Sequence, residues 1–382
     1  MNKKLMAVAV AGAFAVPAVA LADASIYGRV NVGFDNYSAT GSTAGSGSDL
    51  KARNRVFDSG SRLGFRASED LGSGLRAVMV LETGVNFDTG NGNGQNGTTN
   101  ASANGALASR DSYGGLEGDW GRVSFGRQSV FWTNGVIAQS GANYVNIDVP
   151  MATVGGGFGR VAGIGTRINN TVMYTLPNIN GFGGYVSYSP QSEAATGGQN
   201  TDAVVEGLRV SYTGRVNVQA DWATNKAQSG VGANRLQVTG EKLGVGFPYA
   251  PGAQISLIWG NNENKDVAGT AGLTAVNDTI KQSAVILNWE QVFGNIQALA
   301  MVGKLQKASG CSISCDNTEA TSYMVGAKYL FSKKTGAYAT YNKTTNKANQ
   351  TLDYTAAGYT SANTLAAGAD PRVIAIGVIQ NF

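Results

Sequence analysis

Histidine is absent from all 382 residues, which removes the commonest general acid–base and the commonest metal ligand together. No Ser-His or Cys-His nucleophile can be assembled, so the familiar hydrolases fall away and no cofactor or catalytic metal is implied. Charged residues make up only 14% of the chain and prolines number 7. The 29 basic residues outnumber the 25 acidic ones but occur singly, with no stripe that would neutralise consecutive phosphates, which argues against nucleic acid as a partner. Beyond the N-terminal region no apolar run approaches twenty residues, so no transmembrane helix is expected. What the chain has in quantity is glycine, 53 residues, and that profile is not one of a soluble single-core domain.

Residues 1–22 read as an export signal. Met1, Asn2, Lys3 and Lys4 form a basic head, Leu5 to Val16 a short apolar run, and Ala20-Leu21-Ala22 a small-residue cleavage site, so the mature chain is expected to start near Asp23. Pro17 and the small residues after it count against an uncleaved anchor. Export also frames the two cysteines. Cys311 and Cys315 lie in the polar stretch Ser309 to Asn317, where an oxidising compartment favours a local disulfide; the alternative, the start of a thiolate zinc site, would have to do without histidine.

The mature region, 23–382, alternates. Ile26, Val30, Val32 and Phe34 are apolar while Tyr27, Arg29, Asn31 and Asp35 lie between them, a period of two that makes a strand with one greasy and one polar face. Leu63, Phe65 and Ala67 repeat it against Arg62, Gly64 and Arg66, and Ile374, Ile376, Val378 and Phe382 against Ala375, Gly377 and Asn381. Marked out this way, strands are expected over 25–35, 54–67, 74–87, 108–117, 119–128, 166–177, 181–190 and 204–213. Eight more follow, over 215–224, 234–246, 252–262, 280–291, 294–306, 319–331, 335–345 and 371–382.

Short links such as 68–73, 178–180 and 332–334 alternate with long polar ones such as 36–53, 88–107, 191–203 and 346–371. Tight turns on one rim and long loops on the other suit a closed barrel crossing an outer membrane, where every backbone group needs a partner. The fold class expected is therefore all-β, a sixteen-stranded antiparallel transmembrane barrel. A soluble β-sandwich would leave each apolar face needing a second sheet and would not explain the alternation of link lengths. Tyr37, Trp120, Trp222, Tyr329 and Phe382 fall near strand ends, where an aromatic girdle would sit. The formal dinucleotide string Gly92-x-Gly94-x-x-Gly97 lies in a polar loop with no helix after it and is discounted. Lys333 and Lys343 read as solvated turn and strand-edge positions.

Particular strings resemble the general trimeric porins of Gram-negative bacteria, of the Neisseria, Bordetella and Burkholderia type. They are Ser25-Ile-Tyr-Gly-Arg29, Gly60-Ser-Arg-Leu-Gly-Phe-Arg66, Ser68-Glu-Asp-Leu-Gly-Ser-Gly-Leu75, Trp120-Gly-Arg-Val-Ser-Phe-Gly-Arg-Gln128, Asn170-Thr-Val-Met-Tyr-Thr-Leu-Pro177, Gly326-Ala-Lys-Tyr-Leu-Phe-Ser-Lys333 and the terminal Phe382. The resemblance implies a homotrimer in the outer membrane, in contact with its lipid and lipopolysaccharide, passing small hydrophilic solutes and catalysing nothing. It also implies that the third long loop, about 129–165, folds into the lumen, and that Phe382 is read by the outer-membrane assembly machinery.

Parity alone places Arg29 and Arg62 on the inner face, because lipid exposure of a charge at mid-depth costs about 2–4 kcal/mol; both match the basic wall of the family's constriction. Arg127 and Arg160 match it through Phe125-Gly-Arg-Gln128 and Phe158-Gly-Arg-Val161. Parity disagrees for Arg127, since Val123 and Phe125 would carry it toward lipid unless Gly126 permits a bulge. The family's acidic loop string is replaced by Asn146-Ile-Asp-Val-Pro150, which leaves Asp148 as the one carboxylate between Ser129 and Gly165. Four arginines facing one acid imply a mild anion preference. Arg76, Glu82, Arg110 and Arg167 are further candidate lumen charges. Two rivals use the same architecture, a surface adhesin and a solute-specific porin.

Overall fold

Strands with one greasy and one polar face have to hide one of them, and the computed structural model of the chain does so by rolling them into a closed sheet. It describes residues 23–88, 107–131, 161, 163–164, 167–190, 204–228, 236–265, 267, 273–275, 278–354 and 365–382. The strands are β1 (Asp23–Thr40), β2 (Leu50–Asp58), β3 (Arg62–Gly72), β4 (Leu75–Gly84), β5 (Ser112–Gly118), β6 (Gly121–Ser129), β7 (Arg167–Thr175), β8 (Phe182–Pro190) and β9 (Val204–Tyr212). They continue as β10 (Asn217–Gln228), β11 (Leu236–Ala250), β12 (Ala253–Lys265), β13 (Ile280–Phe293), β14 (Ile296–Leu305), β15 (Ala320–Leu330), β16 (Thr335–Asn346) and β17 (Asp370–Asn381).

Strands adjacent in sequence pair antiparallel, except β2 with β3, and β1 closes the ring by pairing with β17 from Arg29↔Asn381 to Thr40↔Asp370. On its other edge β1 pairs first with β3, from Asp23↔Ser68 to Arg29↔Arg62, and then with β2, from Val32↔Asp58 to Ala39↔Leu50. β2 and β3 are thus two halves of one stave, and seventeen segments make sixteen staves. This corrects the single strand expected over 54–67. The break is chemical: Gly60 takes φ 70°, the Asp58 carboxylate accepts from the Ser61 amide at 3.0 Å, and the Ser61 hydroxyl accepts from the Asn31 amide at 2.9 Å. The offset segment still satisfies its backbone through side chains.

Turn chemistry sets the short rim. Asn180 and Gly181 both have positive φ, 53° and 90°, between mutually hydrogen-bonded Ile179 and Phe182, a two-residue turn whose twist matches that of its flanking strands. At the seam, Gly28 and Phe382 exchange backbone hydrogen bonds of 3.1 and 3.2 Å. A side chain at Gly28 would meet the Phe382 ring at 2.3 Å.

The barrel is inside out relative to a soluble protein. Ile26, Phe65, Phe125, Leu208, Leu257, Val325 and Ile376 are exposed on the outer face, whereas Asn31, Asp35, Gln219, Asp221, Asn262 and Asn342 are buried inside. Among the described residues no helix is long and apolar enough to cross a membrane; the strands supply the apolar band. Trp120, Phe182, Phe293, Tyr329, Phe331 and Phe382 stand exposed at the short-turn rim. Tyr37 does not belong to a girdle. It is fully buried on the inner face, and its hydroxyl donates to Asp353 at 3.1 Å, because the segment after β16 folds back over the barrel mouth and brings Leu352 and Tyr354 into the interior.

Candidate functional site: the charged inner wall

Register brings the arginines together. Arg29 and Arg62 are a direct cross-strand pair on the inner face, and Arg29 is held by a 3.0 Å bond from its Nε to Asn381 Oδ1. Next around the wall, Gly64 faces Glu82 in register, and the missing side chain leaves room for the Tyr27 ring, over which the Arg66 guanidinium lies at 4.1 Å. Glu82 takes Arg110 on one carboxylate oxygen and Arg62 on the other, the latter at 3.6 Å.

Asp111, beside Arg110, accepts from the Ser129 hydroxyl at 2.8 Å and pairs with Arg167 at 3.6 Å. Arg127 donates from Nε to the Ser109 carbonyl at 3.1 Å and from its terminal nitrogen to Asn169 Oδ1. It is drawn to this group by a register shift. Gly126 faces Thr171 but Gln128 faces Ile168, so β7 carries the extra residue, and Asn170 takes φ 54° to accommodate it. Four guanidinium groups, Arg62, Arg110, Arg127 and Arg167, therefore gather around two carboxylates, Glu82 and Asp111.

Nearer the short-turn rim, Arg76 bonds Glu117, Arg122 lies 3.8 Å from the same carboxylate, and the Arg122 guanidinium covers Tyr113 at 5.0 Å. Arg76 thus sits apart from the main cluster, in an exposed pair.

A second buried group occupies the wall of β8 to β11. Asp221 accepts from Arg209 Nε at 2.5 Å and Gln219 Nε2 at 2.6 Å, and pairs with Lys242 at 3.4 Å. Onto it docks the chain leaving β6. The Phe131 amide donates to the Tyr185 hydroxyl, and Lys242 donates to the Phe131 carbonyl, both at 2.8 Å. Gly207 and Gly240 leave the space, since a side chain on either would meet Val130 at 2.5 Å or Phe131 at 2.8 Å. Ile164 packs beside Phe131 over Gly240, and Val161 joins Ile280 and Ala308 in a separate apolar cluster. Arg160 and Asp148 lie outside the described residues, as does the leader 1–22.

Cys311 and Cys315 are joined in a disulfide in the link from β14 to β15. Nearby, Asp278 accepts from the Ser312 amide and hydroxyl at 3.0 and 2.6 Å, which hold its carboxyl below the usual range. Among the described residues no group of three or more acidic or sulfur side chains is placed to hold a metal. Sequence reading overlooked Asp111, Arg66 and the Arg209–Asp221–Lys242 group. A signal for the last existed: each is a lone charge with an outward apolar neighbour, Leu208, Trp222 or Leu243.

Residues 7–349 match a family model described as Gram-negative porin. The chain is 26% identical over 349 residues to the major outer membrane protein P.IB of Neisseria gonorrhoeae, covering 88% of this chain and 92% of that protein. It is 30% identical over 272 residues to an outer membrane porin protein of Bordetella pertussis, covering 65% and 66%. Among solved structures, the anion-selective porin from Comamonas acidovorans superposes with a TM-score of 0.71 at 22% identity, covering 94% of this chain and all of that one. OmpT of Vibrio cholerae in its trimer form superposes at 0.60 with 15% identity, over 94% and 99%.

Proposed function

The chain belongs to the Gram-negative porin family, and from that premise we propose that its β3-to-β7 wall is the basic side of an anion-preferring constriction. The protein is an outer-membrane β-barrel with a water-filled lumen through which small hydrophilic solutes and ions diffuse. The observation that carries the finer reading is the gathering of Arg62, Arg110, Arg127 and Arg167 around Glu82 and Asp111. Fixed charges on low-dielectric walls focus their field into the lumen, and an excess of guanidinium draws anions in.

The reading continues with the third long loop, about 129–165, folding inward to narrow the pore, with Arg160 joining the basic wall and Asp148 facing it. Its support is the docking of Val130, Phe131 and Ile164 against inward-facing positions of β9 to β11. Residues 1–22 act as the export leader and Phe382 as the assembly signal. A homotrimer, the form of the Vibrio cholerae structure, is supported by the outer face of β1 to β5, which carries neither Trp nor Tyr and so lacks the side chains that anchor other sectors at the interface.

Single-channel current of the refolded protein under a salt gradient tests this reading. Stepwise ohmic openings with a reversal potential of anionic sign are expected, and Arg62→Ala should lower the anion preference while leaving the barrel assembled. A cationic reversal potential, or one that Arg62→Ala leaves unchanged, would overturn the constriction assignment.

A further inference from the structure

The strand β4 departs from the alternation of the rest of the barrel. Ala77, Val78, Met79, Val80 and Leu81 form an unbroken apolar run, so this stave is greasy on both faces. Met79 is exposed on the outer face. On the inner face Val80 lies in register with Arg66 and Tyr113, and Val78 with Ser68 and Gly115. Other inward apolar side chains, such as Ile258, Ile286, Met301 and Met324, are buried, whereas Val78 and Val80 are only half-buried. With Arg66 and Tyr113 they line a recess of 780 Å³ in the inner wall, between the Glu82 cluster and the short-turn rim. That size falls in the range of about 300–1,000 Å³ that holds a small molecule.

Two guanidinium groups flank the valine floor. Arg66 lies 4.1 Å over the Tyr27 ring and makes no ion pair among the described residues. Arg122 lies 5.0 Å over the Tyr113 ring, and among the described residues its buried Nε has no hydrogen-bond partner. A guanidinium stacked on a ring keeps its in-plane donors for a carboxylate. The carboxylates of the lining are already engaged, Glu82 by Arg110 and Arg62, Asp111 by Arg167, and Glu117 by Arg76 and Arg122. The fourth, Asp23, stands at the short-turn end opposite Ser68.

We propose that this recess binds an aromatic monocarboxylate, its carboxylate on Arg66 and its ring on Val78 and Val80, between Tyr27 and Tyr113. The proposal rests on the pore reading, which brings solutes to the recess on the short-turn side of the constriction. Covering the two valines with a ring removes apolar surface from water, and the flanking tyrosines offer edges and faces to it. A sugar would set hydroxyls against side chains that cannot bond them. A second carboxylate on the ligand would come up against Glu82, Asp111 or Glu117 and be repelled.

The test uses the full-length barrel refolded in neutral detergent, with benzoate as the probe and saturation-transfer NMR as the readout. Benzoate should bind saturably. Acetate, which has the charge without the ring, and benzamide, which has the ring without the charge, should each fail to displace it at equal concentration. Arg66→Gln should weaken binding roughly ten-fold and Val80→Ser roughly five-fold. Arg215→Gln, in the exposed turn between β9 and β10, should leave binding unchanged. Displacement by acetate or benzamide, or an affinity that either recess variant leaves at the wild-type value, would overturn the proposal. Conductance in potassium chloride is read separately, so a barrel that conducts without binding benzoate sinks this site alone, and one that binds without conducting sinks the pore reading alone.

Discussion

Lys242 donates its ammonium to the carbonyl of Phe131 at 2.8 Å and lies 4.4 Å from the centre of the same residue's ring. One side chain thereby satisfies a backbone acceptor, neutralises buried Asp221 and seats the first turn of a long loop. Lys242 and Asp221 are both fully shielded from solvent, so removing one partner leaves the other without a full complement. Asp221 keeps Arg209, so Lys242→Met is expected to destabilise the folded barrel by about 1–3 kcal/mol, the cost of the Phe131 carbonyl losing its Lys242 donor, read as a lower denaturation midpoint in guanidinium with an unchanged slope.

Glu82 is one of two carboxylates holding four arginines in check. Glu82→Gln keeps an acceptor for Arg110 but removes a negative charge. At a separation of about 8 Å in water a unit charge contributes roughly 0.5 kcal/mol, favourable for one sign of ion and unfavourable for the other. The anion-to-cation permeability ratio should accordingly rise about five-fold, measured from the reversal potential in a salt gradient. An unchanged ratio would mean that Glu82 does not act on the permeating ions.

Asp353 predicts a pH dependence. It lies in the link after β16, buried beside the Tyr37 hydroxyl and its neighbour's amide, and burial pushes its carboxyl up to about 6. A raised value means that the docked segment prefers the protonated acid. Docking is therefore strongest below the ordinary aspartate value of about 4 and weakens as pH climbs through about 6, losing about 3 kcal/mol. Amides of residues 347–354 should exchange faster at pH 7.5 than the intrinsic pH effect explains, and Asp353→Asn should abolish the difference.

Much of this architecture is written in the alternation of the chain. Arg29 and Arg62 sit where parity puts them, because the ladder that joins them runs without a slip from Asp23↔Ser68 to Arg29↔Arg62. Parity fails where the ladder slips. Arg127 follows a shift between Gly126 and Gln128 whose extra residue lies on the partner strand, a feature that β6 does not encode by itself. Tyr37 looks like a girdle residue until a segment more than three hundred residues away folds onto it. Lys242 and Phe131 are 111 residues apart; each is readable as inward or apolar, but their meeting depends on the path of a loop, which follows no periodic rule. The stave broken at Ser59–Ser61 escaped for a similar reason, since its hydrogen bonds run to Asn31 and not along the strand.

The exchange between Gly28 and Phe382 is also a condition on how the protein comes to exist. The barrel is sealed by pairing the first strand with the last, and Arg29 reaches Asn381 across 352 positions of sequence. Before that contact forms, the sheet has two free edges whose unpaired amides and carbonyls invite pairing with any other strand, and closure is delayed by the long separation of its partners. A growing chain cannot close early, because the strand that completes the ring is made last. Any premature stop deletes that strand, so truncated products keep an open edge and stay recognisable as unfinished.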